Sequence, residues 1–117
     1  MRKAYIAAML VASSAVTAAE AHPKLLSASP AANSAVAAPG KIEMHFSEGL
    51  IPAFASIDLV EKKTSAKVAV KTNVSGGGKT LTGVPARPLT PGAYHLTYRV
   101  TSVDTHRIQA SYDFTVR

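Results

Sequence analysis

The sequence predicts an all-β sandwich or Greek-key barrel built from residues 22–117. Short runs in this region alternate apolar and polar residues, turn residues separate them, and none of it carries a convincing amphipathic helix. Alternation is the signature of a strand with one buried face, because successive side chains of an extended chain point to opposite sides.

The first 21 residues read as a separate element. Arg2 and Lys3 form a short basic start, Ala4 to Val16 is an apolar run broken only by Tyr5, Ser13 and Ser14, and Ala19-Glu20-Ala21 is a small-x-small cleavage site. This is the three-part layout of a secretory signal peptide, with cleavage expected after Ala21. The apolar run is shorter than the ~20 residues a membrane-spanning helix needs.

Ser29-Pro30 and Ala38-Pro39-Gly40 then bracket an Ala-rich stretch too short to carry a helix far. The first clear strand places Ile42, Met44 and Phe46 on one face and Glu43, His45 and Ser47 on the other. Ile57 and Leu59 alternate with Ser56 and Asp58, and Val68 and Val70 with Lys67 and Lys71. Gly76-Gly77-Gly78 forms a flexible loop, and Pro85, Pro88 and Thr90-Pro91-Gly92 lead into the next strand. There Tyr94, Leu96, Tyr98 and Val100 face the core, opposite His95, Thr97 and Arg99. The closing strand alternates Tyr112, Phe114 and Val116 with Ser111, Asp113 and Thr115. The β-branched and aromatic content of these runs suits strands. A single domain at 22–117 is expected, with no internal repeat.

Removing residues 1–21 leaves 11 basic and 6 acidic side chains, a net charge of +5 on 96 residues. The basic residues are scattered, with Lys62-Lys63 the only adjacent pair, so they describe a solvated cationic surface and not a nucleic-acid interface. The chain has no cysteine. Disulfides, thiolate metal sites and thiol nucleophiles are therefore excluded, and any metal site must use His, carboxylate, Met or the chain terminus.

Two elements could supply such a site. Cleavage after Ala21 makes His22 the N-terminal residue, offering its α-amine and its imidazole Nδ1 to one metal ion. The amine has an ordinary pKa of about 7.7–8.0, so a metal must displace a proton there and affinity should rise with pH. Pro23 has no amide N–H, so the backbone nitrogen after His22 cannot deprotonate and join the metal. The second element is Val103-Asp104-Thr105-His106. In an extended segment Asp104 and His106 point the same way, and the lapse of alternation after Val100 puts them in or beside a loop. An amine, two imidazoles and a carboxylate form a nitrogen- and oxygen-rich set that favours Cu(II) over zinc and nickel and suits Cu(I) poorly. His45 and His95 lie on the polar faces of strands and are read as exposed structural residues. Glu48, after the Met44–Phe46 strand, is assigned a supporting role beside the metal, with direct ligation or an exposed turn position as the alternatives.

These residues resemble a known family, the CopC/PcoC copper-resistance proteins. The resemblance is carried by His22-Pro23-Lys24-Leu25, by Ser29-Pro30, by Lys41-Ile42-Glu43-Met44-His45-Phe46-Ser47-Glu48, by Ser102-Val103-Asp104-Thr105-His106 and by Tyr112-Asp113-Phe114-Thr115-Val116. It implies a seven-stranded Greek-key β-sandwich, cupredoxin- or immunoglobulin-like, in the periplasm. It implies one Cu(II) held by His22, Asp104 and His106 with Glu48 nearby, a role in copper homeostasis or resistance, and a CopD-type membrane protein as partner. A monomer is expected. Some members carry a Met-rich Cu(I) loop. Here Leu50 through Ala66 contains neither Met nor His, and the only methionines are Met1, Met9 and Met44. A Cu(II)-only protein, and not an enzyme, is therefore expected.

Two other functions compete. A terminal His with a second His on copper resembles the histidine brace of copper polysaccharide monooxygenases, although the chain has no Trp and few tyrosines for a polysaccharide platform. A structural β-sandwich with incidental histidines is the other.

Overall fold

Residues 22–117 are described by a computed structural model; the expected signal peptide, 1–21, lies outside the described residues. The described residues form nine strands: β1 (Leu25–Ser29), β2 (Ala35–Val36), β3 (Ile42–Phe46), β4 (Ser56–Glu61), β5 (Ala66–Val68), β6 (Val70–Ser75), β7 (Thr80–Pro85), β8 (Gly92–Thr101) and β9 (Arg107–Val116). One 3₁₀ turn, Pro52–Phe54, precedes β4.

The strands build two sheets, β1-β3-β7-β6 and β2-β9-β8-β4-β5. Neighbours such as β3 and β7, or β4 and β8, are distant in sequence, so the chain crosses repeatedly between sheets, as Greek-key connections require. The seven strands implied by the family resemblance appear as nine segments. Ala69 alone divides β5, which pairs with β4, from β6, which pairs with β7 in the other sheet. The run containing Val68 and Val70 is thus a corner between sheets, not one alternating strand. The two-residue β2 adds a parallel pairing to β9.

The alternation places the core as expected. Ile42, Met44, Phe46 and Leu81 face inward from one sheet, and Ile57, Leu59, Tyr94, Leu96, Tyr98, Val100, Phe114 and Val116 from the other. Phe46 meets Tyr98 edge to face at 5.6 Å, while Tyr94 stacks on Phe114 at 5.6 Å. The phenol of Tyr112 donates to the Pro30 carbonyl, and burial pushes its pKa up to about 12. Met44 is fully buried, so its thioether is a core group and no surface ligand. Gly83, in β7, has no room for a side chain: a Cβ there would lie 2.7 Å from Val70 Cγ1 in its own sheet and 2.9 Å from Ile57 Cδ1 in the other.

The paired strands β8 and β9 run side by side for their full ten residues. The link between them, residues 102–106, projects from one end of the sandwich, beside the corner at 47–51.

Candidate metal centre

Three segments meet at that end. The N-terminal segment is fixed first. Pro23 is fully buried, and because it has no N–H its burial strands no donor. Lys24 and Ser47 then hold each other: the Lys24 N–H donates to Ser47 Oγ at 2.8 Å and the Ser47 N–H to the Lys24 carbonyl at 2.9 Å. His22 is half-buried just before this anchor.

The corner from Ser47 to Ile51 fixes the other partner. Leu50 is buried in the core and pairs with Ser102 across an antiparallel bridge. The Val103 N–H donates to the Gly49 carbonyl at 2.9 Å and the Ile51 N–H to the Thr101 carbonyl at 2.9 Å. One short corner therefore carries both the N-terminal segment and the 102–106 loop.

Within the loop, Ser102 organises the geometry. It is the one buried polar residue, 0% exposed, among the described residues. Its hydroxyl donates to Asp104 Oδ1 and accepts the His106 N–H at 3.2 Å, while its N–H donates to the His106 carbonyl at 2.9 Å. The Thr105 N–H closes the turn onto the Ser102 carbonyl at 2.8 Å, with Thr105 at φ 74°. Asp104 and His106 do converge, with Oδ1 3.2 Å from Nδ1. They do so through a tight turn, not through the same-side geometry of an extended strand. The Ser102 hydroxyl, followed by the His106 contacts, holds the Asp104 carboxyl below the usual carboxylate range.

The His22 and His106 rings stand edge to face with centroids 5.0 Å apart. His106 thus meets both His22 and Asp104. Among the described residues no three His or acidic side chains are already arranged to hold a metal ion. The arrangement can still act chemically: a histidine whose Nδ1 is engaged by a carboxylate presents Nε2 outward as a donor. In this form Asp104 orients His106.

Glu48 is half-buried in the corner, between the Ser47 anchor and the Gly49–Val103 bond, and its carboxylate has no hydrogen bond or ion pair among the described residues. His45 and His95 are exposed on outer sheet faces, as expected. His45 contacts Glu43 at 2.9 Å and Thr80 at 3.2 Å; His95 contacts Asp113 at 2.5 Å. Residue type alone does not single out Ser102 or Ser47. Ser102 had a signal: the inward parity of Leu96, Tyr98 and Val100 extends one step further to it.

A CopC domain model matches residues 25–117. The chain belongs to the CopC domain family. It is 45% identical to copper resistance protein C of Pseudomonas syringae pv. tomato, over 97% of this chain and 91% of that one. Its fold matches the crystal structure of PcoC, described as a methionine-rich copper resistance protein from Escherichia coli. That match has a TM-score of 0.75 at 40% identity, over 83% of this chain and all of that one. CopC from Methylosinus trichosporium OB3b matches with a TM-score of 0.73 at 34% identity, over 81% and 93% of the two chains. Where PcoC is methionine-rich, this chain has three methionines, and the one within the CopC domain is in the core.

Proposed function

We propose that the exported chain, beginning at His22, binds one Cu(II) per molecule in the periplasm and buffers or carries it in copper homeostasis or resistance. The observation that carries this reading is the edge-to-face contact of His22 and His106, 5.0 Å apart, with Asp104 on His106. Two imidazoles from opposite ends of the chain are brought together at one end of a rigid sandwich, within a family whose relatives are copper resistance proteins.

His22 supplies its imidazole and, after cleavage, its α-amine; His106 supplies Nε2; Asp104 orients His106 and offers its carboxylate to the ion. Nitrogen and oxygen donors of this kind suit Cu(II). No exposed thioether among the described residues offers Cu(I) a soft alternative. Glu48 follows Ser47, which is bonded to Lys24, and is assigned the role of accepting a hydrogen bond from the terminal amine. A CopD-type membrane protein is the recipient that the family resemblance implies. The reading as a binder and not a catalyst is supported by the aromatics: Tyr94 and Tyr98 are buried, Tyr112 is half-buried, and Phe54 is the one large exposed aromatic among the described residues.

The test is a Cu(II) titration of the exported protein followed by EPR, beside a variant with one Ala inserted before His22. One equivalent bound with a nitrogen-rich tetragonal spectrum, lost on insertion, supports the site. Equal binding by both proteins removes the terminal amine from it, and absence of binding removes the site.

A further inference from the structure

At one end of the outer face of the five-stranded sheet the Pro52–Phe54 turn packs beside β8. The turn and the outward residues of β8 and β9 line an open cleft of about 460 Å³. That volume lies within the range of small-molecule sites, which combine apolar walls with a few convergent polar groups.

The cavity has two unlike sides. Ile51, Ala53 and Phe54 form an apolar wall, with Phe54 left 63% exposed. Across from it are the outward residues of β8 and β9. Thr101 pairs directly with Arg107, and Arg99 lies one step along, opposite Gln109. Residues paired across strands share a face, so both guanidiniums stand on the cavity side. Arg99 is braced rather than loose, with its Nε donating to Gln109 Oε1 at 3.1 Å and its Nη1 to Asp58. Asp58 offsets the charge of Arg99. Arg107 makes no ion pair among the described residues, so its charge is left for a ligand. The other nearby carboxylate, Asp104, is turned to Ser102 and His106.

We propose that this cavity binds a small carboxylate with an apolar body. The carboxylate meets Arg107, with Arg99 and the Thr101 hydroxyl as further donors, and the apolar body lies against Phe54 and Ile51. Guanidinium forks match carboxylates in geometry as well as charge. An aromatic ring exposed beside them gains most from a ligand that covers it. The site does not use His22, and it stands or falls independently of copper.

The test uses the exported, metal-free protein, phenylacetate as probe, and its neutral amide as the control. Amide NMR shifts are followed during titration at constant ionic strength. The expected result is saturable shifts confined to Ala55, Thr101, Thr105, Arg107 and their neighbours. The amide should bind about tenfold more weakly or worse, the order expected when a hydrogen bond to a charged group is lost. Arg107→Gln, an exposed and size-conserving change, should cost a similar factor while leaving the rest of the spectrum in place, and Phe54→Ala should weaken phenylacetate but not acetate. Equal binding of acid and amide, an unaffected Arg107→Gln protein, or shifts scattered over the basic surface would each overturn the proposal.

Discussion

Replacing Ser102 with alanine tests the loop geometry most directly. The serine side chain is 0% exposed and serves both ends of the turn, giving its proton to Asp104 and accepting the His106 N–H at 3.2 Å. Alanine fits the space but takes the hydroxyl acceptor from that N–H, leaving it the Asp104 carboxylate. An unsatisfied donor in a protein interior costs about 1–3 kcal/mol. This one keeps a partner and borders an exposed loop that water can reach, so the lower part of the range, about 1–2 kcal/mol, applies. For a domain of this size that is a fall in Tm of roughly 5–15 °C, read by circular dichroism on the metal-free exported protein. The Asp104 carboxyl also loses the first cause of its lowered pKa and should move up toward the ordinary carboxylate value in a carbon-detected NMR titration. Copper affinity should fall by roughly tenfold or more, as it does when a group that orients a metal ligand is removed. A loss below about 0.5 kcal/mol, the lower bound for one hydrogen bond, with the amide signals of 103–106 unmoved, would refute the reasoning. The loop would then be held by its backbone bonds to Gly49 and within residues 102–106 alone.

Thr105 sits at φ 74°, where a side chain costs roughly 1–2 kcal/mol and glycine's extra freedom costs about 0.5–1. Thr105→Gly should therefore stabilise the metal-free fold by about 0.5–1 kcal/mol in urea denaturation while weakening Cu(II) binding, since the loop is less ordered before the ion arrives. Gly83→Ala should destabilise by about 1–2 kcal/mol in the same assay, because the stiff Val70 methyl at 2.7 Å must shift. The Asp113 carboxyl is held low first by its hydrogen bond from Lys62 and then by His95. A depressed carboxyl contributes stability that is present above the ordinary value of about 4 and is lost as pH falls through the lowered one. Asp113→Asn should therefore show a shallower fall in Tm than the parent below about pH 4, and parallel curves would remove this pair from the acid response.

What the sequence made legible was decided by parity. Ile42–Phe46, Tyr94–Val100 and Tyr112–Val116 bury every second residue because each strand has one face on the core, and that pattern survives in a single sequence. Strands at the margins were not legible. β1 is mostly exposed or half-buried along Leu25–Ser29, and β7 interrupts its pattern with Gly83 and Pro85. The switch at Ala69 was hidden because Val68 and Val70 keep the same spacing while belonging to different sheets. At the candidate centre, residue types named His22, Asp104, His106 and Glu48, since few other donors exist in a chain without cysteine. The means of bringing them together was not visible. It rests on Ser47, Leu50 and Ser102, whose roles depend on contacts between segments about 25 to 55 residues apart.

Those anchors also explain why the start of the chain matters to the proposed copper site. Pro23 is buried and Lys24 is tied to Ser47 on both backbone groups, so the fold holds the segment that directly follows His22. In the proposed site, removal of residues 1–21 changes the donor at His22. An amide nitrogen between residues 21 and 22 gives a lone pair to a metal only after losing its N–H proton, whereas the amine released by cleavage gives one far more readily. The imidazoles and the carboxylate are common to the precursor and the processed chain, and the fourth donor belongs to the processed chain alone. On this reading a complete Cu(II) site is made only where the signal peptide is removed, so the precursor passes through the cytoplasm with weaker hold on copper. The Ala-extended protein should accordingly keep its fold and Tm without metal, and lose the rise in Tm that copper gives the processed chain.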